Sequence, residues 1–320
     1  MNLHLTTETV EPGYCRTDFT DRLPVARRLN IRGYRHYYQL DAKKKSVVIV
    51  PSVTTIIDKT LPMPDHVVKW YCDLGYHEAK REMNRRAHYG TALHILVSKL
   101  LTEKTIDLEQ VGEHAAAYIA EHSLPFDTRW WEYEMKKDLL SIANWAAEKD
   151  VTPIAIEVPM VSAEMGYAGT ADIICELTFN RKRVIALVDL KSGRNGFTTK
   201  HEAQLAAYRQ LWNFLVPELP VEMIFNLAPK DWRKDPTYTF TNQGESEGAN
   251  MWPSMLAMHR ATDEKDRTTI EIGGTVHLGR DVSDCYQVVN LEEKLAELHR
   301  IDVAADADAK IKEVANVDDF

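Results

Sequence analysis

The segment VIALVDL, at residues 184–190, constrains the fold more than any other part of the chain. Its apolar residues occupy odd and even positions alike, whereas a strand with one face in water alternates apolar and polar residues. A strand that is apolar on both sides is covered on both faces, so it belongs near the middle of a sheet between layers of helices. We therefore predict an α/β fold of the mixed, α+β type, in which a central β-sheet is flanked by helices.

The segments around this strand have patterns that fit such a sheet. Residues 154–161 alternate like a strand, and residues 167–177 and 221–228 also have strand character. A helical stripe at 200–216 lies between the strand at 184–190 and the one at 221–228. The resulting order of strand, strand, strand, helix and strand is typical of a mixed sheet.

The chain before this core is mostly helical. Residues 64–149 have the pattern of four or five α-helices, which makes a helical N-terminal region. The breaks predicted between these helices lie near Tyr89-Gly90, Asp107 and Pro125. Residues 31–50 are predicted to form a β-hairpin around a charged turn at 41–45. Ser52 is predicted to cap a short helix that ends before Pro62.

The C-terminal part is less regular and more acidic. We predict a helix at 250–260, a weakly β-like segment at 268–289 and a helix at 291–299. Residues 291–320 carry nine acidic and four basic side chains, a net charge of −5. This segment therefore accounts for more than half of the chain's net charge of −9 at pH 7. A chain with 39 Lys and Arg against 48 Asp and Glu does not coat nucleic acid or anionic membranes by bulk charge.

Location and redox state are also constrained. The sequence has no apolar run of about 18 residues, and its first residues lack the basic and apolar blocks of a secretory signal. We therefore expect a cytoplasmic protein with no membrane partner. The four cysteines lie too far apart for a CxxC-type metal site, so we expect thiols and no iron–sulfur cluster.

Three polar residues at the predicted sheet carry the strongest chemical signal. Asp189 and Lys191 are two positions apart, so they project to the same side of the strand end. With Asp172 they would supply two carboxylates for a hard divalent cation and an ammonium beside the reacting water or phosphate. The alternative is a buried ion pair without a catalytic role.

Five short motifs place these residues in a wider pattern. They are GTALH at 90–94, a glutamate at 157, GTAD at 169–172, DLK at 189–191 and QLAAY at 204–208. In this order, on helix, strand, strand, strand and helix, they resemble the PD-(D/E)XK nuclease superfamily in its RecB-like branch. The segment PSVTTIIDKTLP at 51–62, followed by Trp70, is similar to mitochondrial genome maintenance exonucleases and related phage exonucleases. The resemblance covers roughly residues 47–230 and implies a restriction-endonuclease-like core.

The resemblance implies a metal site. Asp172 and Asp189 would bind Mg²⁺ or Mn²⁺, helped by the backbone carbonyl of Leu190 and by His94. A histidine that only packs on its helix face is the alternative for His94. The chain has no Walker motif, so we expect no nucleotide cofactor.

The remaining matched residues would act on water, phosphate or DNA. Lys191 would activate water or stabilise the phosphate, and Glu157 matches the acidic residue of the first core strand, although a strand glutamate facing solvent is the alternative. The residues expected to contact DNA are Ser192, Arg194, Lys200, Gln204 and Tyr208. For Tyr208, helical spacing also fits a core aromatic.

Basic and aromatic residues are spread where a nucleic acid would pass. Basic clusters occur at 80–86, 181–200 and 230–234, and are predicted to follow a phosphate backbone or to form solvated faces. The aromatic residues predicted to stack on unpaired bases are Tyr34, Tyr37, Tyr38, Phe197 and Trp232.

The resemblance implies a metal-dependent DNA exonuclease that acts on single-stranded DNA or DNA ends in replication, recombination or repair. A restriction-like or flap-cleaving endonuclease of the same fold is the second hypothesis, and a non-catalytic DNA-binding protein is the third. DNA is the expected partner, with a single-strand-binding or recombination protein as a candidate protein partner. The cell would be a bacterium or a phage-infected host.

We divide the chain into five parts. They are an N-terminal β-hairpin with the PSVT segment (1–63), a helical region carrying GTALH (64–150), the nuclease core (151–230), a C-terminal helix with an irregular extension (231–290) and an acidic C-terminal tail (291–320).

Overall fold

The computed structural model describes residues 8–16, 19, 23–41, 46–125, 127–193, 196–263, 268–272 and 283–298. Its strands are β1 (Glu8–Val10), β2 (Tyr14–Cys15), β3 (Ala26–Ile31), β4 (Tyr34–Asp41), β5 (Ser46–Pro51), β6 (Thr152–Ser162), β7 (Tyr167–Phe179), β8 (Lys182–Leu190), β9 (Met223–Pro229), β10 (Tyr238–Asn242), β11 (Thr268–Ile272) and β12 (Tyr286–Asn290). Its α-helices are α1 (Val53–Thr60), α2 (Asp65–Leu74), α3 (Tyr76–Glu103), α4 (Val111–Glu121), α5 (Thr128–Glu148), α6 (Thr199–Leu215), α7 (Glu247–Thr262) and α8 at residues 291–298.

A six-stranded mixed sheet forms the centre of the protein, in the order β10-β9-β8-β7-β6-β2. Strands β8 and β9 are parallel and the other neighbours are antiparallel. A parallel pair needs a crossover connection, and α6 supplies it. Strand β8 lies inside the sheet with Ala186, Leu187 and Val188 fully buried, so the predicted central strand and the mixed α/β class are confirmed.

Helices cover the sheet on both faces. On one face Val53, Leu211 and Trp252 bring α1, α6 and α7 into a single hydrophobic core with residues of β6–β9. On the other face α3, α4 and α5 pack against the sheet around the fully buried indoles of Trp131 and Trp145. The apolar residues on both sides of β8 are therefore needed, since each side lies in a different core.

A second sheet, in the order β1-β3-β4-β5, precedes the helices. The predicted hairpin is the antiparallel pair β4–β5, whose turn at 42–45 lies outside the described residues. The sheet is larger than predicted, because β1 and β3 extend it. The predicted cap is confirmed: the Ser52 hydroxyl accepts a hydrogen bond from the Thr55 amide at 3.0 Å, and α1 ends at Thr60.

The helical region has four α-helices, as predicted, but one predicted break is wrong. Helix α3 runs without interruption through Tyr89 and Gly90. A side chain at position 90 would place its Cβ 3.1 Å from the Ser192 hydroxyl oxygen. The glycine therefore serves a close approach between this helix and the loop after β8, and it does not end the helix.

Less of the C-terminal part is described. Strands β11 and β12 pair within the segment predicted to be weakly β-like, and α8 begins where a helix was predicted. Strand β10 was not predicted. The acidic residues after 298 lie outside the described residues. Among the helices of the described part, none is both long and apolar enough to span a bilayer.

Candidate active site

Two antiparallel strands bring the predicted acidic residues together. The register of β7 and β8 pairs Ile173 with Val188, which carries Asp172 alongside Asp189. A carboxylate oxygen of Asp172 accepts a hydrogen bond from the backbone amide of Leu190 at 2.8 Å. Asp172 is therefore held at the end of β8, next to the DLK residues.

His94, Glu157 and Asp172 form one polar group, and they come from α3, β6 and β7. Each offers a ligand atom within 4.8 Å of the other two, and no second group of this kind occurs in the described part of the chain. The His94 Nδ1 lies 2.7 Å from a Glu157 carboxylate oxygen, and its Nε2 lies 3.1 Å from the Leu190 carbonyl oxygen. Three of the four predicted metal-binding residues, His94, Asp172 and Leu190, thus lie together, joined by Glu157.

The electrostatics of this group favour a positive charge. Burial lowers the pKa of His94, but Asp172 and Glu157 outweigh it and raise that pKa to about 9. Burial raises the pKa of Asp172, and the charge of His94 opposes this. At neutral pH the imidazolium donates to Glu157 and to the Leu190 carbonyl. Two carboxylates, a carbonyl and an imidazole also form a donor set that could hold a divalent metal ion.

A second polar group begins at Asp189, which is 1% exposed. The Lys191 ammonium donates to one Asp189 oxygen at 2.8 Å and lies 3.4 Å from the side-chain oxygen of Gln204. The Gln204 amide in turn donates to the Tyr208 hydroxyl at 3.0 Å. The structure therefore shows the ion pair that was the alternative for Asp189 and Lys191, and it lies beside the first group.

Asn226 is a member of this second group that the sequence analysis missed. Strands β8 and β9 pair Asp189 with Asn226, and the Asn226 amide donates to the other Asp189 oxygen at 2.8 Å. Both Asp189 oxygens are thus occupied. The signal was a single amide inside the apolar strand MIFNLAP. Asn226 is fully buried and its own side-chain oxygen has no hydrogen-bond partner in the structure.

Glu157 has an unusual backbone for a strand residue, with φ of 49°. A residue other than glycine in this region is uncommon and costs of order 1 kcal/mol or more. Gly13 lies against it, because a Cβ at position 13 would be 3.3 Å from the Glu157 Cβ. The local backbone therefore directs the Glu157 carboxylate towards His94.

Tyr208 is buried and closely packed. It is 4% exposed, and a Cβ added at Gly169 would lie 2.3 Å from its ring. Burial raises the pKa of its hydroxyl, which stays protonated. Tyr208 is therefore a core aromatic that joins the second group through Gln204, and its contact with DNA stays a prediction.

The other residues predicted to contact DNA differ in their surroundings. Ser192 is partly buried against Gly90, and Arg194 lies outside the described residues. Lys200 forms an ion pair with Asp58 at 2.7 Å. Their roles stay predictions, because the structure contains no nucleic acid.

The predicted stacking role of two tyrosines is wrong. Tyr37 and Tyr38 are buried within the N-terminal sheet and its packing, so neither ring is open to a base. Tyr34 of the same strand is exposed. The Trp232 ring lies under the Lys137 ammonium, which is 5.5 Å from its centroid. Tyr37 and Tyr38 are consecutive and point to opposite faces of the strand, so both faces are covered at this position, which the sequence pattern did not indicate.

Comparison with known proteins shows which family the chain belongs to. Residues 68–270 match the sequence model of the PD-(D/E)XK nuclease superfamily. Among solved structures, the chain is similar to a candidate exonuclease from Eubacterium rectale, with 8% identity and a TM-score of 0.32 over 53% of this chain and 65% of that chain. No curated protein matches. Because the superfamily match spans more than half of the sequence, the chain belongs to the PD-(D/E)XK nuclease superfamily.

Proposed function

We propose that this nuclease is a Mg²⁺- or Mn²⁺-dependent deoxyribonuclease that hydrolyses phosphodiester bonds as an exonuclease, on single-stranded DNA or DNA ends. The observation that carries the proposal is the meeting of two groups at one end of β8. His94, Glu157 and Asp172 form the first group. The ion pair of Asp189 and Lys191 lies directly beside it.

The first group fits a divalent cation. Glu157 and Asp172 would supply carboxylate oxygens and Leu190 its carbonyl oxygen. His94 would supply a ring nitrogen after it loses the proton that it holds in the absence of the metal. A metal held by these residues would lower the pKa of a bound water and would offset charge on the phosphate. Asp189 is the fourth predicted ligand, and it lies next to Leu190 with its oxygens held by Lys191 and Asn226.

The surroundings of Lys191 suit it to stabilise negative charge on the phosphate, and suit it less to remove a proton from water. Burial lowers its pKa, but Asp189 and Asp172 outweigh it, so the pKa lies above the usual value. A lysine that stays charged at neutral pH stabilises negative charge that develops on a phosphoryl group. We therefore assign charge stabilisation to Lys191.

The exonuclease assignment is tested with three DNA substrates. End-labelled linear single strands, duplexes and circular single strands are incubated with Mg²⁺, with Mn²⁺ and with EDTA. We expect cleavage of linear strands from an end with either metal, intact circles, and no cleavage in EDTA. Cleavage in EDTA contradicts metal dependence, and cleavage of circles contradicts the exonuclease in favour of an endonuclease.

Variants link the activity to the site. Asp172→Asn and Lys191→Ala should each lower the cleavage rate by about 10²-fold or more, as for loss of a charge-stabilising group. Asp150→Asn is the matched control for Asp172→Asn, because the Asp150 side chain is 81% exposed and pairs with Arg183 at the opposite end of β8. Full activity of Asp172→Asn would refute the assignment of the site.

A further inference from the structure

A cleft lies next to the candidate active site, between α3, α5 and the loop that follows β8. Its volume is about 220 Å³ and it is open to solvent. The residues that line it are Arg85, Arg86, Tyr89, Trp130, Glu134, Asp138, Ser192 and Gly193. The two loop residues directly follow Lys191, so the cleft begins where the active-site residues end.

The wall of the cleft carries an exposed aromatic ring beside a cation. Trp130 is 46% exposed, although large aromatic residues usually bury most of their surface. The Arg85 guanidinium lies over this ring, 4.6 Å from the centroid. Arg85 also donates to Glu82 at 2.7 Å, which fixes its plane. A rigid indole and guanidinium together form a surface that suits a planar base next to a phosphate.

Basic side chains line the α3 side of the cleft. Arg85 and Arg86 share the one carboxylate of Glu82, so these three residues carry a net charge of +1. Glu134, on α5, also lines the cleft. The Asp138 carboxylate is buried and accepts a hydrogen bond from the Tyr89 hydroxyl at 2.7 Å. Asp138 is therefore buried, and the charges of the cleft that solvent reaches are those of Arg85, Arg86 and Glu134.

The spacing along α3 connects the cleft with the active site. Arg86, Gly90 and His94 recur every four residues, so they follow one face of the helix. At about 1.5 Å of rise per residue, Arg86 lies about 12 Å along the helix from His94. A stacked strand advances about 3.4 Å per nucleotide, so the interval corresponds to a few nucleotides.

We propose that this cleft is a single-strand subsite, in which an unpaired base near the scissile phosphate stacks on Trp130 while Arg85 and Arg86 bind the adjoining backbone. The inference rests on the proposed function and deepens it by naming the substrate form. A base inside a duplex is held between stacked base pairs, whereas a base of a single strand unstacks readily and can stack on a side chain, so Trp130 selects unpaired nucleotides.

The test compares strands with and without bases. Anisotropy of labelled (dT)₁₂ and of an abasic strand of equal length is measured in EDTA, which prevents metal-dependent cleavage. Trp130→Ala should weaken binding of (dT)₁₂ about tenfold, the size of one base–aromatic stack. It should leave binding of the abasic strand unchanged, and Trp130→Phe should restore most of the preference for bases.

A matched control comes from the same helix. Tyr133 is 62% exposed and does not line the cleft, so Tyr133→Ala should leave both affinities at the wild-type values. Arg86→Gln is an independent test at an exposed position. It should lower the slope of log Kd against log salt by about 0.7, the value for one phosphate contact to a single strand.

The outcomes separate this subsite from the proposed function. If wild type and Trp130→Ala prefer (dT)₁₂ over the abasic strand by the same factor, the subsite proposal is overturned. It is also overturned if the wild-type protein binds neither strand. Cleavage of DNA with Mn²⁺ by a protein that fails this test leaves the nuclease proposal intact. Base-dependent binding through Trp130 without any cleavage supports the subsite and overturns the nuclease proposal.

Discussion

The glycine of the GTAD motif faces the tyrosine of the QLAAY motif with no space between them. A Cβ at Gly169 would lie 2.3 Å from one ring carbon of Tyr208 and 3.0 Å from the next. Carbon atoms in contact prefer about 3.5–4.0 Å. Tyr208 is buried against the sheet, so its ring cannot turn into solvent to make room. Gly169→Ala therefore has to displace either the ring or strand β7.

The expected cost follows from this overlap. Extra methyl groups in a packed core typically cost about 1–3 kcal/mol, and an overlap of more than about 1 Å predicts the upper end. For a chain of this length, about 3 kcal/mol lowers the melting temperature by roughly 4–5 °C. Cleavage should fall as well, because the Tyr208 hydroxyl is tied to Gln204 at 3.0 Å and Gln204 lies 3.4 Å from Lys191.

The assay is urea and thermal unfolding of four proteins: wild type, Gly169→Ala, Tyr208→Leu and the double variant. The leucine leaves space that the new methyl group partly fills, so the double variant should be at least about 1 kcal/mol more stable than additivity predicts. Gly193→Ala is the control, since nothing lies within 4 Å of its added Cβ. A Gly169→Ala variant within about 0.5 kcal/mol of wild type, or additive costs, would refute the reasoning.

Three further predictions concern the polar groups of the site. Asn226→Leu removes the donor to a buried Asp189 oxygen, so unfolding free energy should fall by about 2 kcal/mol; a variant as stable as wild type in urea contradicts this role. Mn²⁺ at about a hundred times its Kd should stabilise wild type by about 2.7 kcal/mol in calorimetry and should not stabilise Asp172→Asn, and equal shifts would count against the metal site. Burial, with a contribution from Lys191, lowers the pKa of His201 to about 4, against 6.5 for an exposed histidine. As the pH falls, His201 is therefore protonated in the unfolded chain before it is protonated in the folded protein. The unfolding free energy of wild type should then fall more than that of His201→Asn between about pH 6.5 and about pH 4. Parallel curves of unfolding free energy against pH would disprove this prediction.

Patterns of neighbouring residues accounted for much of the fold. Strands β4 to β9, the crossover helix α6 and the cap at Ser52 follow from periodicity and from local hydrogen bonding, which act over a few residues. The wrong break in α3 has a different origin. Gly90 reads locally as a helix breaker, but its role is to admit Ser192, which is distant in sequence.

Among the functional residues, too, some were found from local sequence patterns and others depend on contacts between distant parts of the chain. His94, Asp172 and Lys191 were found because their motifs occur in a recognisable order. Trp130 belongs to no motif, and its significance depends on remaining exposed beside Arg85. Tyr37 has the same aromatic character but is buried. Exposure results from packing between elements, so residue type alone did not separate them.

The sequence by itself determined that β8 is a covered strand and that Asp189 and Lys191 project from the same side of its end, because strand alternation is a local property. Only the tertiary structure decided which partners these groups have. Asp189 is held by Lys191 and Asn226, while Asp172 lies with His94 and Glu157. His94 and Glu157 are 63 residues apart in the chain and 2.7 Å apart in space. Such contacts depend on how helices pack on the sheet, which no local pattern of residues specifies.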